Sequence, residues 1–270
     1  MSKWVRVTKG YRCPICGHDS WCTVNGSVVL CMWVESNRPI NQKDGSTGWL
    51  HKLGDDAPKP KPVVEKPRPT INARKLWEQF NEETDILMLK KLALSIGVNV
   101  AALRSLCCVW IKDKRAYGFP MYDGFGNMVG IRLRSITGAK WAITGSTQGI
   151  FVPMGDSAKR ALITEGPTDT AAALSLGQWA IGRPHCSGGV SDIMQLFNRN
   201  DVREAVIVSD NDGPGLRGSQ MLQRHLSIPS CLLILPCKDI RNFVNRGGTI
   251  DDLNSIVKSL IWKQPTQSGR

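Results

Sequence analysis

The feature that most constrains this chain is a run of short apolar segments between residues 161 and 235, each followed by a helical pattern. Apolar stretches at 161–164, 179–181, 205–209 and 231–235 alternate with helix-spaced stretches at 169–176, 191–197 and 218–226. Strands this short and uniformly apolar are expected to be buried on both faces, and intervening helices can supply the cover. The alternation predicts an α/β domain built on a parallel sheet.

Two of the predicted strand ends carry acids and glycines together. The run ALITEGPTD at 161–169 leads a strand into Glu165, Gly166 and Asp169. The run AVIVSDNDGPG at 205–215 leads another into Asp210, Asp212, Gly213 and Gly215. Ligands of open α/β sheets bind beyond the carboxyl ends of the strands, so both groups are expected on one crevice. Asp210 and Asp212 are separated by Asn211 alone, so both can approach one cation. Grouped carboxylates repel unless a cation neutralises them, and hard oxygen ligands suit Mg²⁺ or Mn²⁺. The glycines permit tight turns and let phosphate approach the backbone. One such turn would pass for a solvated loop; two on nearby strand–helix units point to a site.

Upstream the composition changes. Residues 54–70, GDDAPKPKPVVEKPRPT, alternate proline with charge and predict an extended linker. Residues 1–53 are rich in Cys, Trp and Gly. Here Cys13-Pro14-Ile15-Cys16-Gly17 precedes a hairpin signal at Asn25-Gly26, and Cys31 closes its far end, the layout of a zinc ribbon. Cys13, Cys16 and Cys31 are clear Zn²⁺ ligands; Cys22 is preferred as the fourth, with His18 and His51 as alternatives. Cys107, Cys108, Cys186, Cys231 and Cys237 read as buried apolar residues.

Between linker and sheet, residues 74–80 and 86–96 show helical spacing, and the pattern from Leu89 to Leu106 favours a small helical packing unit over a groove-reading element. A hairpin follows, with strands at 117–122 and 128–134 around the turn Asp123-Gly124-Phe125-Gly126-Asn127. Arg132 and Arg134 alternate with apolar residues and so share one strand face, with Lys140 close behind. Arginine pairs bidentately with phosphate, while lysine acts as a point charge. A net charge of +12 also favours a polyanionic partner. No apolar run is long enough for a membrane span and no signal-peptide core is present, so a cytoplasmic protein without a membrane partner is expected.

Glu165-Gly166-x-x-Asp169, a glycine turn at Ser187-Gly188-Gly189, then Asp210-x-Asp212-x-x-Gly215 together resemble the TOPRIM domain. That Rossmann-like parallel sheet is shared by bacterial-type (DnaG-like) primases, type IA and type II topoisomerases, OLD-family nucleases and RecR-type repair proteins. The resemblance implies that Glu165 is a general acid or base, that Glu165, Asp210 and Asp212 hold magnesium, and that Asp169 is a further acid of the site. Lys238-Asp239-Ile240-Arg241-Asn242 resembles the lysine-and-acid stretch that often follows, which can reach the site or cap a helix. The N-terminal segment resembles the zinc-binding domain of bacterial and phage primases, although the usual closing Cys-x-x-Cys is here Cys31-Met32-Trp33-Val34.

Among these families, primases combine the parts in this order. The resemblance therefore implies a zinc-ribbon-like module (1–53), a linker (54–70), an α+β part of a primase core (71–156), a TOPRIM domain (157–262) and a tail (263–270). The implied activity is primer synthesis from nucleoside triphosphates on a single-stranded DNA template. Arg132, Arg134, Lys140 and Lys238 would contact nucleotide or template, and a replicative helicase would act in trans. A phage or mobile-element origin fits the compact plan. A non-catalytic scaffold of the RecR kind and a TOPRIM nuclease are the alternatives. Tyr11, Tyr117 and Tyr122 lack the surroundings of a topoisomerase nucleophile, and no phosphate-binding Gly-x-x-x-x-Gly-Lys-[Ser/Thr] loop is present for the ATPase that accompanies OLD-like nucleases.

Overall fold

The computed structural model describes residues 4–42, 46–54 and 70–265. The predicted linker, but for residues 54 and 70, and the tail beyond residue 265 lie outside the described residues. The chain divides into two compact units, Met1–Arg68 and Pro69–Arg270. No helix among the described residues is long and apolar enough to cross a membrane.

In the first unit, β1 (Val5–Arg6), β2 (Thr23–Asn25), β3 (Val28–Cys31), β4 (Pro39–Asn41) and β5 (Thr47–Lys52) form an antiparallel sheet in the order β1-β2-β3-β5-β4. The β2–β3 hairpin turns where expected, with Gly26 in the left-handed region at φ 58°. Three further strands extend the hairpin into a sheet. Its buried cluster is small, comprising Val7, Val24 and Val29 with Cys13, Cys22 and Cys31. A core this thin needs a cross-link to be stable.

The second unit opens with α1 (Ala73–Glu82), α2 (Ile86–Ile96) and α3 (Val100–Ser105). Each starts at a side-chain cap: Asn72 accepts from the Lys75 N–H, Asp85 from Leu87 and Asn99 from Ala102. These helices cover an antiparallel sheet of β6 (Val109–Ile111), β7 (Ala116–Tyr122), β8 (Met128–Ser135) and β9 (Lys140–Ala142). Leu76, Trp77 and Phe80 of α1 pack beside Ile131 and Leu133. Leu89, Leu92 and Leu103 of α2 and α3 pack with Tyr117, Phe119 and Met121. The pattern from Leu89 to Leu106 thus builds core.

The predicted alternation follows: β10 (Arg160–Glu165), α4 (Pro167–Ser175), β11 (Ala180–Arg183), α5 (Val190–Arg199), β12 (Glu204–Ser209), α6 (Gly213–His225) and β13 (Ser230–Ile234). The four strands are parallel, in the order β11-β10-β12-β13. Ala161, Ile163, Ala205 and Ile207 face Ile193, Phe197 and Leu222 from α5 and α6. Their neighbours Leu162, Val206 and Val208 face Ala172 and Ala173 of α4 on the other side. The period-two exchange accounts for the uniformly apolar strands, since both faces are covered. Two short helices without a clear signal in the sequence, α7 (Ile240–Asn245) and α8 (Ile250–Lys258), complete that second face.

Ile150 and Phe151 staple the two sheets together. Ile150 exchanges two backbone hydrogen bonds of 2.8 Å with Tyr122 of β7, and Phe151 exchanges two of 2.8 Å with Gly182 of β11. A side chain at Gly149 would collide with the Tyr122 carbonyl, which explains the glycine there. The staple sets β8 beside the carboxyl ends of the parallel strands.

Candidate functional site

Glu165 is the last residue of β10, and Gly166 after it takes φ 79°, which turns the chain into α4. Asp169 lies in the first turn of that helix and is 7% exposed. Asp210 follows β12 directly. Asp239 caps α7, accepting from the Asn242 N–H at 2.7 Å, and is 5% exposed. All four line one cavity of about 360 Å³. Arg132 and Arg134 of β8, Lys140 of β9, Lys238 and Arg241 line the same cavity. Acids from one sheet therefore face cations supplied largely by the other.

Asp210 and Asp212 differ in placement, though Asp212 stands near enough to raise both Glu165 and Asp210. Asp212 Oδ1 accepts the Gly215 N–H at 2.7 Å, capping α6, and Asp212 lies outside the cavity lining. Gly213 and Gly215 form the first turn of α6 and also lie outside the lining. A Cβ at Gly215 would press on the Asp210 carbonyl at 2.8 Å, so that glycine serves the turn. Gly166 differs, because open space surrounds its Cβ position at the cavity wall.

Burial pushes the Glu165 carboxyl up to about 7; Asp210 and Asp212 add to the rise and Arg183 and Lys140 oppose it. Asp169 is also pushed up to about 7 by burial, with Arg241 opposing and Asp239 and Asp210 adding. Asp210 is raised by burial and then by Asp239 and Asp212. Glu165 Oε1 and Asp169 Oδ1 are buried with no hydrogen-bond partner among the described residues. Unpartnered buried oxygens are costly, and a hard cation relieves that cost. The donor set therefore fits Mg²⁺ or Mn²⁺.

Three residues escaped the sequence reading. Arg183 ends β11 in register with Glu165, is 1% exposed, and donates from Nε to the Gly188 carbonyl at 3.1 Å. A charge ending an apolar strand was the available signal. His185 lines the cavity, with Nδ1 3.2 Å from Ser187 Oγ and Nε2 3.3 Å from Gln148 Oε1. Burial, then Arg183 and Arg132, lower its basicity, which favours the neutral ring. Arg241 lies within the Lys238–Asn242 stretch, two residues from its partner Asp239, but its other partner, Asp169, comes from a distant segment. Cys186 departs from the expected buried role, being half-buried on the cavity wall, and Cys237 is half-buried too.

In the first unit the ligand atoms of Cys13, Cys16, Cys22 and Cys31 all lie within 4.8 Å of one another. Among the described residues this is the one group of three or more metal-ligating side chains that meets that closeness. The Trp33 and Val34 N–H groups donate to Cys31 Sγ at 3.5 and 3.3 Å, and that of Met32 to Cys22 Sγ at 3.4 Å. His18 instead stacks on Trp33, with ring centroids 4.7 Å apart, and His51 Nε2 lies 3.0 Å from the Val34 carbonyl. Burial raises the Cys22 thiol, so metal binding there must release a proton.

No protein-family model matches the chain, and no curated protein matches it. Solved structures do. A DnaG primase catalytic domain bound to single-stranded DNA superposes with a TM-score of 0.56 at 12% identity, over 70% of this chain and 78% of that one. The zinc-binding and RNA polymerase domains of the Aquifex aeolicus primase give 0.57 at 13% identity, over 69% and 60%. The primase fragment of the bacteriophage T7 primase-helicase gives 0.50 at 15%, over 94% and 100%. This chain therefore shares the mixed α/β fold of DnaG-type primase domains and carries a four-cysteine cluster able to hold a metal.

Proposed function

We propose that the chain is a DNA primase, a TOPRIM-type nucleotidyltransferase that makes short primers on single-stranded DNA from nucleoside triphosphates. The observation that carries this reading is the facing of two walls. Carboxylates with unpartnered oxygens stand opposite Arg132, Arg134 and Lys140, within a fold shared with primase catalytic domains.

Glu165 and Asp210, with Asp169 and Asp239 beside them, would hold Mg²⁺ or Mn²⁺, and Asp212 would offer its Oδ2 from the rim. When bound, the cation would neutralise charge on the phosphates of an incoming nucleotide. Arg132 and Arg134 would grip phosphate oxygens in pairs, Lys140 and Lys238 would add point charges, and the open side of Gly166 would admit a phosphate near the backbone. The reaction joins a 3′-oxygen to the α-phosphorus of the next nucleotide and releases pyrophosphate. The hydroxyl proton needs an acceptor, which a cavity carboxylate not taken up by the cation, or a water, would supply.

Cys13, Cys16, Cys22 and Cys31 would hold Zn²⁺ and cross-link the first unit. Its exposed Trp4, Trp21 and Trp33 offer rings on which template bases can stack. A helicase acting in trans belongs to the same proposal.

The test incubates the protein with single-stranded DNA, labelled nucleotides and Mg²⁺, beside Glu165→Gln and Asp210→Asn. Oligonucleotide products from the wild type, lost in both variants while DNA binding persists, are expected. Products undiminished in the variants refute the site. Shortened template would identify a nuclease, and binding without turnover a scaffold of the RecR kind.

A further inference from the structure

Arg241 of α7 enters the acid cavity between two carboxylates. Its Nη2 lies 3.4 Å from Asp239 Oδ2 and its Nε 3.9 Å from Asp169 Oδ1. The arginine side chain is 23% exposed, while both acids are more than nine-tenths buried. Asp169 Oδ1 nevertheless has no hydrogen-bond partner among the described residues, because the guanidinium is near enough to attract it but too far to bond. Among the described residues no ion pair reaches Glu165 or Asp210. The four acids thus fall into two pairs, one already supplied with a cation.

We propose that Arg241 is a built-in cation standing where a second divalent ion would bind, so that the cavity takes one Mg²⁺ or Mn²⁺, on the Glu165–Asp210 side. The inference rests on reading the cavity as a metal site. A second dication on Asp169 and Asp239 would sit against a guanidinium, and arginine, unlike lysine or histidine, cannot shed its charge to make room. Positive charge is already crowded there, since Arg134 and Arg241 repel each other. The guanidinium keeps donors to spare, which can meet a triphosphate oxygen once the acids are satisfied.

The test counts bound Mn²⁺ by the paramagnetic resonance signal of the free ion, using zinc-loaded full-length protein. One ion is expected for the wild type, two for Arg241→Gln, and one again for Arg241→Gln combined with Asp169→Asn. Two ions in the wild type, or one in a folded Arg241→Gln, overturn the inference. The wild-type count can overturn it alone, even if the glutamine variant fails to fold. Primer synthesis is read separately. Synthesis with two ions bound refutes the built-in cation and leaves the proposed function standing; one ion gained on removing Arg241, without synthesis, does the reverse. Absence of Mn²⁺ binding in every protein refutes both.

Discussion

Glu165→Gln removes a titrating group while keeping its shape, and the stability of that variant against pH is a direct reading of the cavity. Burial, then Asp210, pushes the Glu165 carboxyl from an ordinary 4.5 up to about 7. Between those values the folded protein keeps a proton that the unfolded chain has released. The stabilisation from that proton is complete below 4.5, falls as pH rises, and is gone above about 7. At ~1.4 kcal/mol per pH unit the interval bounds the loss near ~3.5 kcal/mol, and partial exposure lowers the expected value to about 1–2 kcal/mol. The assay is urea unfolding of zinc-loaded protein, without Mg²⁺, at intervals from pH 5.5 to 8.5. Glu165→Gln should gain on the wild type across that range by about 1 kcal/mol, the share of the interval that lies above pH 5.5. Adding Mg²⁺ at the high end should stabilise the wild type more than the variant. Parallel pH curves, or a variant that loses ground as pH rises, would refute the assignment of Glu165 as a buried acid short of a partner.

Cys22→Ser should abolish tight zinc binding in a metal-content assay, whereas His18→Ala and His51→Ala should retain it, since neither ring joins the thiol cluster. Gly218→Ala would drive a methyl into the Cys186 carbonyl; a loss of about 2 kcal/mol is expected in chemical denaturation, together with weakened Mn²⁺ binding as the loop bearing His185 shifts. Arg134→Gln should weaken single-stranded DNA binding and flatten its salt dependence by roughly one phosphate contact, measured by fluorescence anisotropy across a salt series.

The parallel sheet was legible because strands covered on both faces leave uninterrupted apolar runs, and expected 205–209 became β12, Glu204–Ser209. Alternation alone put Arg132 and Arg134 on one face. Strands β1 and β4 carried no such signal, having two and three residues and little burial. The capping role of Asp212 had a local sign that the acidic pattern obscured: aspartate ahead of Gly213-Pro214 is itself a helix cap. Asp239 proved to do both things open to it, capping α7 and lining the cavity. Arg183 and Arg241 stayed hidden for a different reason. Their meaning depends on which strand lies beside β10 and on where α7 packs, and neither follows from residues nearby in the chain.

Ile150 and Phe151 join two sheets that are made at different times. A ribosome releases β6 to β9, with Arg132, Arg134 and Lys140, before β10 and β11 exist. Until then Phe151 has no Gly182 to pair with, and those cations have no carboxylates to face. The loop that must close is only about thirty residues long, a modest entropic cost. Its closure carries β10 into register and brings Glu165 with it. That step gives the polycationic hairpin its first two facing acids, Glu165 and Asp169, while Asp210 and Asp239 follow only with β12 and α7, so a chain halted before it would cling to any nearby nucleic acid.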